Sequence, residues 1–121
     1  MSTIQKTNLF EQIAEASQES FHTLWENACV KIERIVSRGH SSPEEFWYDQ
    51  AWDEWVLLLK GSAGLAFEGR QEVFLAPGDC LLIPAGVKHR VAWTDAGAET
   101  IWLAVHVYGD KAAPPNCNHH K

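Results

Sequence analysis

Three ionisable side chains of this sequence stand inside apolar runs. Glu54 lies in EWVLLLKG, His89 begins HRVAWT, and His106 lies in WLAVHVY. Side chains alternate between the two faces of a β-strand, so Glu54 would share a face with Val56 and Leu58. A carboxylate among aliphatic side chains is poorly solvated and needs a metal ion, a hydrogen-bond partner or a raised pKa. These three residues are therefore candidates for a functional site.

The residues around the two histidines predict the wall of a pocket. Alternation from His89 places Val91 and Trp93 on the face of that imidazole. The same alternation points Trp102 inward on the last strand. We expect the pocket wall to be formed by four apolar side chains, Val56, Val91, Trp93 and Trp102.

Composition limits the classes of protein to consider. A chain of 121 residues has room for one domain with one core. A formal charge of −6 argues against general nucleic-acid binding, and no stretch approaches the roughly 18 apolar residues of a membrane span. The first residues lack the pattern of a secretory signal, and three cysteines without a CxxC pair fit reduced thiols. We expect a cytoplasmic protein that binds neither nucleic acid nor membrane.

The middle of the chain has the pattern of an all-β protein. Residues 46–107 contain short β-rich runs separated by glycine or proline, which is typical of a sandwich or barrel. EGRQE is predicted to form a tight hairpin and TDAGAE a looser one. We place the barrel domain at residues 29–109.

The two ends of the chain are predicted to differ from the barrel. Residues 1–28 are interpreted as a helical extension, in which Asn8 and Glu11 form a capping box. A second short helix is expected from Ser17 to about Asn27. Residues 110–121 are polar and rich in proline, so a mobile tail is expected there.

One stretch of this region has a distinctive spacing. Gly78 is followed by five residues, then Pro84, one residue, Gly86, two residues and His89. This spacing resembles the second motif of the cupin superfamily, whose members are small antiparallel jelly-roll barrels. The glycines allow tight turns, and the proline ends the apolar run by removing a backbone donor.

The first motif of that family is present only in part. Glu54 and Gly61 keep its second half, but its two histidines are absent, and Tyr48 and Gln50 stand where they are expected. A longer spacing would put Trp47 and Asp49 there instead. The resemblance covers roughly residues 30–108. It implies an antiparallel double-stranded β-helix, as in small single-domain type-2 cupins, with a degenerate first metal motif.

The resemblance also implies a metal site near the mouth of the barrel. Glu54 and His89 would be ligands, with His106 or Gln50 in addition. If TDAGAE closes a hairpin, residue 89 lies near residue 104, and His106 faces the same way as His89. Two imidazoles and one carboxylate suit Fe(II), Mn(II), Ni(II) or Zn(II) with positions left open for substrate.

Three functions remain open at this point. The first is binding of a small organic ligand, with or without catalysis, beside a divalent metal held by Glu54 and His89. The second is a metal-independent enzyme resembling cupin isomerases and epimerases, with His89 as base and Tyr48 as acid. The third is a non-catalytic module that senses a ligand.

Apolar residues on the opposite face of the predicted strands indicate a further contact. They form two outward rows, Trp55, Leu57 and Leu59 on one strand and Ile101, Leu103 and Val105 on another. Such rows need a cover, either the N-terminal residues or a second subunit. We therefore expect a homodimer.

Overall fold

The computed structural model describes residues 3–11, 13 and 19–108, and these residues form eight β-strands. The strands are β1 (Ser20–Glu26), β2 (Val30–Ser37), β3 (Asp53–Lys60), β4 (Ala63–Phe67), β5 (Val73–Leu75), β6 (Cys80–Ile83), β7 (His89–Thr94) and β8 (Thr100–Val107). Five strands form one sheet in the order β1-β2-β8-β3-β6, and three form a second sheet in the order β5-β4-β7. All pairings are antiparallel. The all-β prediction is confirmed.

The core lies between the two sheets. Strand β3 shows why, because Glu54, Val56 and Leu58 are buried while the alternate residues Trp55 and Leu57 are only half-buried. Leucine and valine side chains from both sheets meet here with Trp102 of β8. Each fully buried aliphatic side chain contributes about 1.5–3 kcal/mol to stability. The inward apolar faces of the two sheets thus form the core.

The prediction of an N-terminal helical extension is wrong for the residues that the structure describes. Residues 20–26, expected to be helical, form β1, which pairs with β2 through register partners such as Phe21 and Ile35. Pairing with the edge of a sheet outweighs the weak helical preference of this short segment. The described residues contain no helix. Residues 12 and 14–18 of the predicted helices lie outside the described part.

The predicted capping box forms a turn instead of a helix start. The amide of Phe10 donates to Oδ1 of Asn8 across 2.8 Å, and the amide of Glu11 donates to its carbonyl across 3.1 Å. The guanidinium of Arg34 on β2 donates to the carbonyls of Leu9 and Glu11. The N-terminal residues are therefore held against the outer face of the five-stranded sheet.

The looser of the two predicted hairpins is also wrong. EGRQE does join two paired strands, β4 and β5. TDAGAE, however, connects strands of different sheets, because β7 pairs with β4 whereas β8 lies between β2 and β3. Residue 89 is thus not a register partner of residue 104. The predicted pairing of β7 with β8 therefore does not explain the position of His106.

Two further expectations concern the thiols and the ends. Cys80 is free and exposed, but Cys29 is disulfide-bonded, so the expectation of reduced thiols is wrong for Cys29. The predicted tail at residues 110–121 lies outside the described residues. Within the residues described, no helix has the length and apolar character to cross a bilayer.

Candidate functional site

A cavity of about 320 Å³ opens between the sheets and is lined by residues from both. It collects eight residues singled out in the sequence: Tyr48, Gln50, Glu54, Val56, His89, Val91, Trp102 and His106. The polar members come from three separate parts of the chain. The cavity is therefore the candidate functional site.

Backbone hydrogen bonds bring the two motif segments together. The amide of Tyr48 donates to the carbonyl of His89 across 2.8 Å, and the amide of His89 donates back across 3.1 Å. The amide of Gly86 donates to the carbonyl of Gln50 across 2.8 Å. Gly86 has a φ of 82°, a left-handed conformation that suits glycine. This turn places His89 directly beside the segment that leads to Glu54.

Glu54 and His89 converge inside the cavity. Their side chains approach to 3.9 Å between Oε1 of Glu54 and Nε2 of His89. Both residues are buried, with exposed fractions of 8% and 6%. Gln50 donates from Nε2 to the same Oε1 across 3.1 Å. The amide of Gln50 thus supplies the hydrogen-bond partner that a buried carboxylate needs.

The other ring nitrogen of His89 fixes its tautomer. Nδ1 lies 2.9 Å from the carbonyl oxygen of Val87. A carbonyl only accepts, so Nδ1 carries the proton, and in the neutral ring Nε2 keeps its lone pair. That lone pair lies at the cavity and beside Glu54. His89 can therefore accept a proton or a hydrogen bond from a ligand.

His106 lies on β8 and lines the cavity because β8 pairs with β3, and not with β7 as the sequence predicted. It is the cross-strand partner of Glu54. The indole Nε1 of Trp52 donates to its Nδ1 across 2.9 Å, and its Nε2 lies 2.9 Å from Oε1 of Glu33. Because an indole only donates, Nδ1 accepts and Nε2 must carry the proton given to Glu33. Both ring nitrogens of His106 are already in use.

Glu33 completes this chain of polar groups. The hydrogen bond from His106 lowers the pKa of Glu33, burial opposes that shift, and the nearby charge of Lys31 lowers it further. The Lys31 ammonium lies 3.7 Å from Oε2. Glu33 is therefore held as a carboxylate at the edge of the cavity.

Tyr48 lies at the mouth of the cavity and is 41% exposed. Its ring stacks on His89 with centroids 5.7 Å apart and an interplanar angle of 25°. Burial raises its pKa, and the carboxylates of Glu19 and Glu54 raise it further. Its hydroxyl therefore stays protonated at neutral pH and can donate.

The predicted metal ligands do not form a complete set in the described residues. Glu54 and His89 converge, but both nitrogens of His106 are engaged by Trp52 and Glu33. The described ranges hold no group of three or more His, Cys, Asp or Glu side chains that could bind a metal ion. One imidazole and one carboxylate are fewer protein ligands than the three that catalytic zinc sites commonly use.

Trp93 differs from its predicted position. Gly64 pairs with Trp93 but Leu65 pairs with Val91, so β7 contains a bulge with one extra residue. A bulge reverses the alternation of faces beyond it. Trp93 therefore points outward, where it stacks on Phe74 with centroids 5.8 Å apart and donates from Nε1 to Glu72 across 2.8 Å.

Two carboxylates that line the cavity, Glu19 and Glu33, were not found from the sequence. Glu33 was overlooked because the alternation of charged and apolar residues in β2 resembles that of a half-solvated strand. The available indication was Ile35, which shares the face of Glu33 and also lines the cavity. Nothing in the sequence pointed to Glu19 or to the contact between Trp52 and His106.

Comparison with known proteins agrees with this architecture. The cupin domain family matches residues 34–106. The crystal structure of a "putative mannose-6-phosphate isomerase" from Ralstonia eutropha JMP134 is 47% identical, with 88% of this chain and 100% of that chain covered at a TM-score of 0.84.

More distant structures share the fold. A cupin superfamily protein from Desulfitobacterium hafniense DCB-2 is 23% identical, with coverage of 80% and 84% and a TM-score of 0.67. An RmlC-like cupin from Methanocaldococcus jannaschii, with a double-stranded β-helix fold, is 20% identical, with coverage of 91% and 96% and a TM-score of 0.67. None of the curated proteins matches the sequence. The family match, the double-sheet architecture and the Gly78–His89 motif agree, and the chain belongs to the cupin family.

Proposed function

We propose that this cupin domain binds a small organic molecule in its barrel cavity and that Nε2 of His89 accepts a proton from it. The observation that carries the proposal is the tautomer of His89. Its Nδ1 proton is directed to the carbonyl of Val87, which leaves a lone pair facing the cavity. The carboxylate of Glu54, 3.9 Å away, would stabilise the imidazolium formed when that lone pair takes a proton.

Tyr48 is the candidate for the complementary acid. Its raised pKa keeps its hydroxyl protonated, and it stacks beside the base. A base and an acid at one cavity suit a reaction in which a proton leaves carbon next to a carbonyl group and returns to a neighbouring position. The Ralstonia protein carries the name of an isomerase, which supports this class of reaction. We place this chain in the same class.

A resident divalent metal does not fit this site, and no step is routed through one. Of the four predicted ligands, His106 has no lone pair to offer, and Gln50 directs its amide nitrogen at Glu54. Only Glu54 and His89 remain as donors. The proposed chemistry therefore depends on the side chains alone.

Hydrogen exchange into deuterated solvent tests the proposal. Mannose, glucosamine and mannose 6-phosphate serve as probes, and NMR follows loss of the proton on the carbon next to the carbonyl group. We expect at least one probe to exchange and to perturb the ring resonances of His89. His89→Gln should abolish exchange, whereas His22→Gln, on an exposed residue that does not line the cavity, should not.

Two results of this experiment would overturn the proposal. One is the absence of both exchange and His89 perturbation for all probes. The other is exchange that survives in His89→Gln or disappears when a chelator is added to the native protein, because the first would remove the base from the reaction and the second would require a metal.

We also propose that the chain forms a homodimer through the outer face of its five-stranded sheet. One row of cross-strand partners crosses all five strands and is wholly apolar: Trp25, Ile32, Val105, Trp55 and Leu82. Its two ends, Trp25 and Leu82, are 55% and 54% exposed. An exposed apolar row of this kind fits the identical row of a second copy.

The oligomeric state in solution tests the dimer. Light scattering should give twice the monomer mass for the native chain and the monomer mass for Leu82→Asp. The matched control is Phe74→Asp, since Phe74 is equally apolar and exposed but lies on the other sheet. A monomeric native protein would contradict the proposal.

A further inference from the structure

We propose that the cavity selects a small organic cation bearing an ammonium group over neutral and phosphorylated molecules. This inference rests on the proposed function only in taking the cavity as the ligand site. It is independent of whether His89 acts as a base. The argument depends on charge, on hydrogen-bond polarity and on the aromatic wall.

The charges that line the cavity are of one sign. Three carboxylates lie there, those of Glu19, Glu33 and Glu54, while the described lining residues include no lysine or arginine. The Lys31 ammonium lies 3.7 Å from Oε2 of Glu33 but does not line the cavity. Glu19 accepts a hydrogen bond from the hydroxyl of Ser37, which brings no charge. A ligand that enters this cavity therefore meets an excess of negative charge.

The free hydrogen-bonding groups deep in the cavity are acceptors. Nε2 of His89, on a residue that is 94% buried, lies 3.9 Å from Oε1 of Glu54, which is beyond hydrogen-bonding distance. The nearest amide donor, Nε2 of Gln50, is already directed at Glu54. Two acceptors 3.9 Å apart can both be reached by one nitrogen at ordinary distances of about 2.9 Å. An ammonium group would supply the donor that Nε2 of His89 lacks, and a second donor to Oε1 of Glu54, which already accepts from Gln50.

The wall of the cavity is compatible with a cation. Phe21, Tyr48 and Trp102 line it, and aromatic faces attract ammonium groups. The Arg90 guanidinium, which could otherwise attract an anion, lies over the ring of Trp47 at 5.6 Å and does not line the cavity. A phosphate dianion would therefore be placed among carboxylates, with no lysine or arginine among the described lining residues to offset the repulsion. The sugar phosphate in the name of the Ralstonia protein does not suit this cavity.

Three compounds of the same shape and different charge test the inference: benzylammonium, benzyl alcohol and benzoate. Calorimetry gives the affinities, and the His89 ring resonances report the place of binding, in the presence of a chelator. Benzylammonium should bind at least about fivefold more tightly than benzyl alcohol, the ratio that one charge pair 4 Å apart gives even in bulk water. Benzoate should bind most weakly.

Matched variants assign the preference to the cavity. Glu54→Gln should reduce the preference for benzylammonium over benzyl alcohol, and Glu33→Gln should reduce it less, because Lys31 already offsets that charge. Glu68→Gln, on an exposed carboxylate at the β4–β5 turn, should leave it unchanged. A preference unaffected by Glu54→Gln would show that bulk charge produces it and would overturn the inference.

Three other results of the binding experiment would also overturn the inference. Equal or tighter binding of benzyl alcohol or benzoate at His89 would overturn the inference while leaving the cavity as a ligand site. Absence of binding by all three compounds would overturn it as well. Zinc that binds at His89 without chelator and displaces benzylammonium would identify a metal as the cation and would end the ammonium assignment.

Discussion

The indole Nε1 of Trp52 donates a hydrogen bond to Nδ1 of His106 across 2.9 Å. This contact determines the tautomer of His106 and directs its remaining proton to Glu33 at the cavity edge. His106, which the sequence suggests as a metal ligand, therefore positions the carboxylate of Glu33.

Replacement of Trp52 by phenylalanine tests the tautomer. The native protein should show His106 protonated on Nε2 only, with nitrogen chemical shifts of one pure tautomer in long-range proton–nitrogen spectra. Trp52→Phe removes the donor at Nδ1 while Glu33 still accepts the Nε2 proton, so the shift of Nδ1 should move to that of a ring nitrogen without a donor and the shift of Nε2 should change less. Trp55→Phe, on the outer face of β3, is the control. Unchanged shifts in Trp52→Phe would refute the assignment.

The lowered pKa of Glu33 predicts a specific dependence of stability on pH. Its carboxylate contributes fully above the ordinary value of 4.5, and the contribution disappears as pH falls through the lower pKa of the folded state. Glu33→Gln should therefore cost about 1.5–3 kcal/mol at neutral pH, as for a hydrogen bond to a charged group. In acid the two proteins should become equally stable.

Denaturant unfolding over a range of pH measures this difference, with Glu68→Gln as an exposed carboxylate control. A difference between native protein and Glu33→Gln that stays constant from neutral pH into acid would show that the charge of Glu33 plays no part.

Tyr48 should ionise at higher pH than an ordinary tyrosine. Burial and the carboxylates of Glu19 and Glu54 raise its pKa above 10.0. The titration of tyrosinate absorbance in native protein minus that in Tyr48→Phe isolates this residue. Glu54→Gln should move the midpoint down, since one source of repulsion is removed. A midpoint at or below 10.0 in the native protein would contradict the prediction.

The raised pKa of Tyr48 also has a consequence for stability. The unfolded chain ionises first as pH increases, so the contribution of Tyr48 is complete below its ordinary pKa and is lost above it. The alkaline loss of stability should be smaller in Tyr48→Phe than in the native protein.

We predict that position 64 must be glycine because the outward side chain of Trp93 lies directly against it. A Cβ atom on Gly64 would collide with the indole of Trp93 and would lie 2.6 Å from Oε2 of Glu72. Gly64→Ala should therefore destabilise the protein by about 1–3 kcal/mol. Gly97→Ala is the matched control, because a Cβ there meets only Asp95 Oδ1, at 3.6 Å.

A double-mutant cycle separates this collision from other effects of Gly64→Ala. In a Trp93→Ala background the cost of Gly64→Ala should fall, since the indole is no longer there. An equal cost in both backgrounds, measured by denaturant unfolding, would show that the contact with Trp93 is not the cause.

The strands and their inward faces could be predicted from the sequence to a large extent. Alternation places Glu54 with Val56 and Leu58 on the inward face of β3, and this face is buried. The spacing from Gly78 to His89 predicts a turn that puts the imidazole at the start of a strand, as found. Both features depend on backbone geometry over a few residues, so the local sequence contains the information.

Other features depended on parts of the chain that are distant in sequence. The pairing of residues 20–26 with β2, the position of β8 between β2 and β3, and the bulge beside Gly64 are decided by neighbouring strands. A single extra residue at the bulge is enough to turn Trp93 away from the cavity. Alternation along one strand contains no information about such an insertion.

The chemistry of the site divides in the same way. The sequence by itself determined which side chains stand on inward faces, Glu54 and His89 among them, because alternation is a property of the extended backbone. Only the tertiary structure decided which lone pairs are free. His89 keeps one because its Nδ1–H donates to the carbonyl of Val87, which leaves Nε2 free. His106 keeps none because its Nδ1 accepts from Trp52 and its Nε2–H donates to Glu33. Hydrogen-bond partners are chosen by proximity in space, and for His106 those partners are 54 and 73 residues away along the chain.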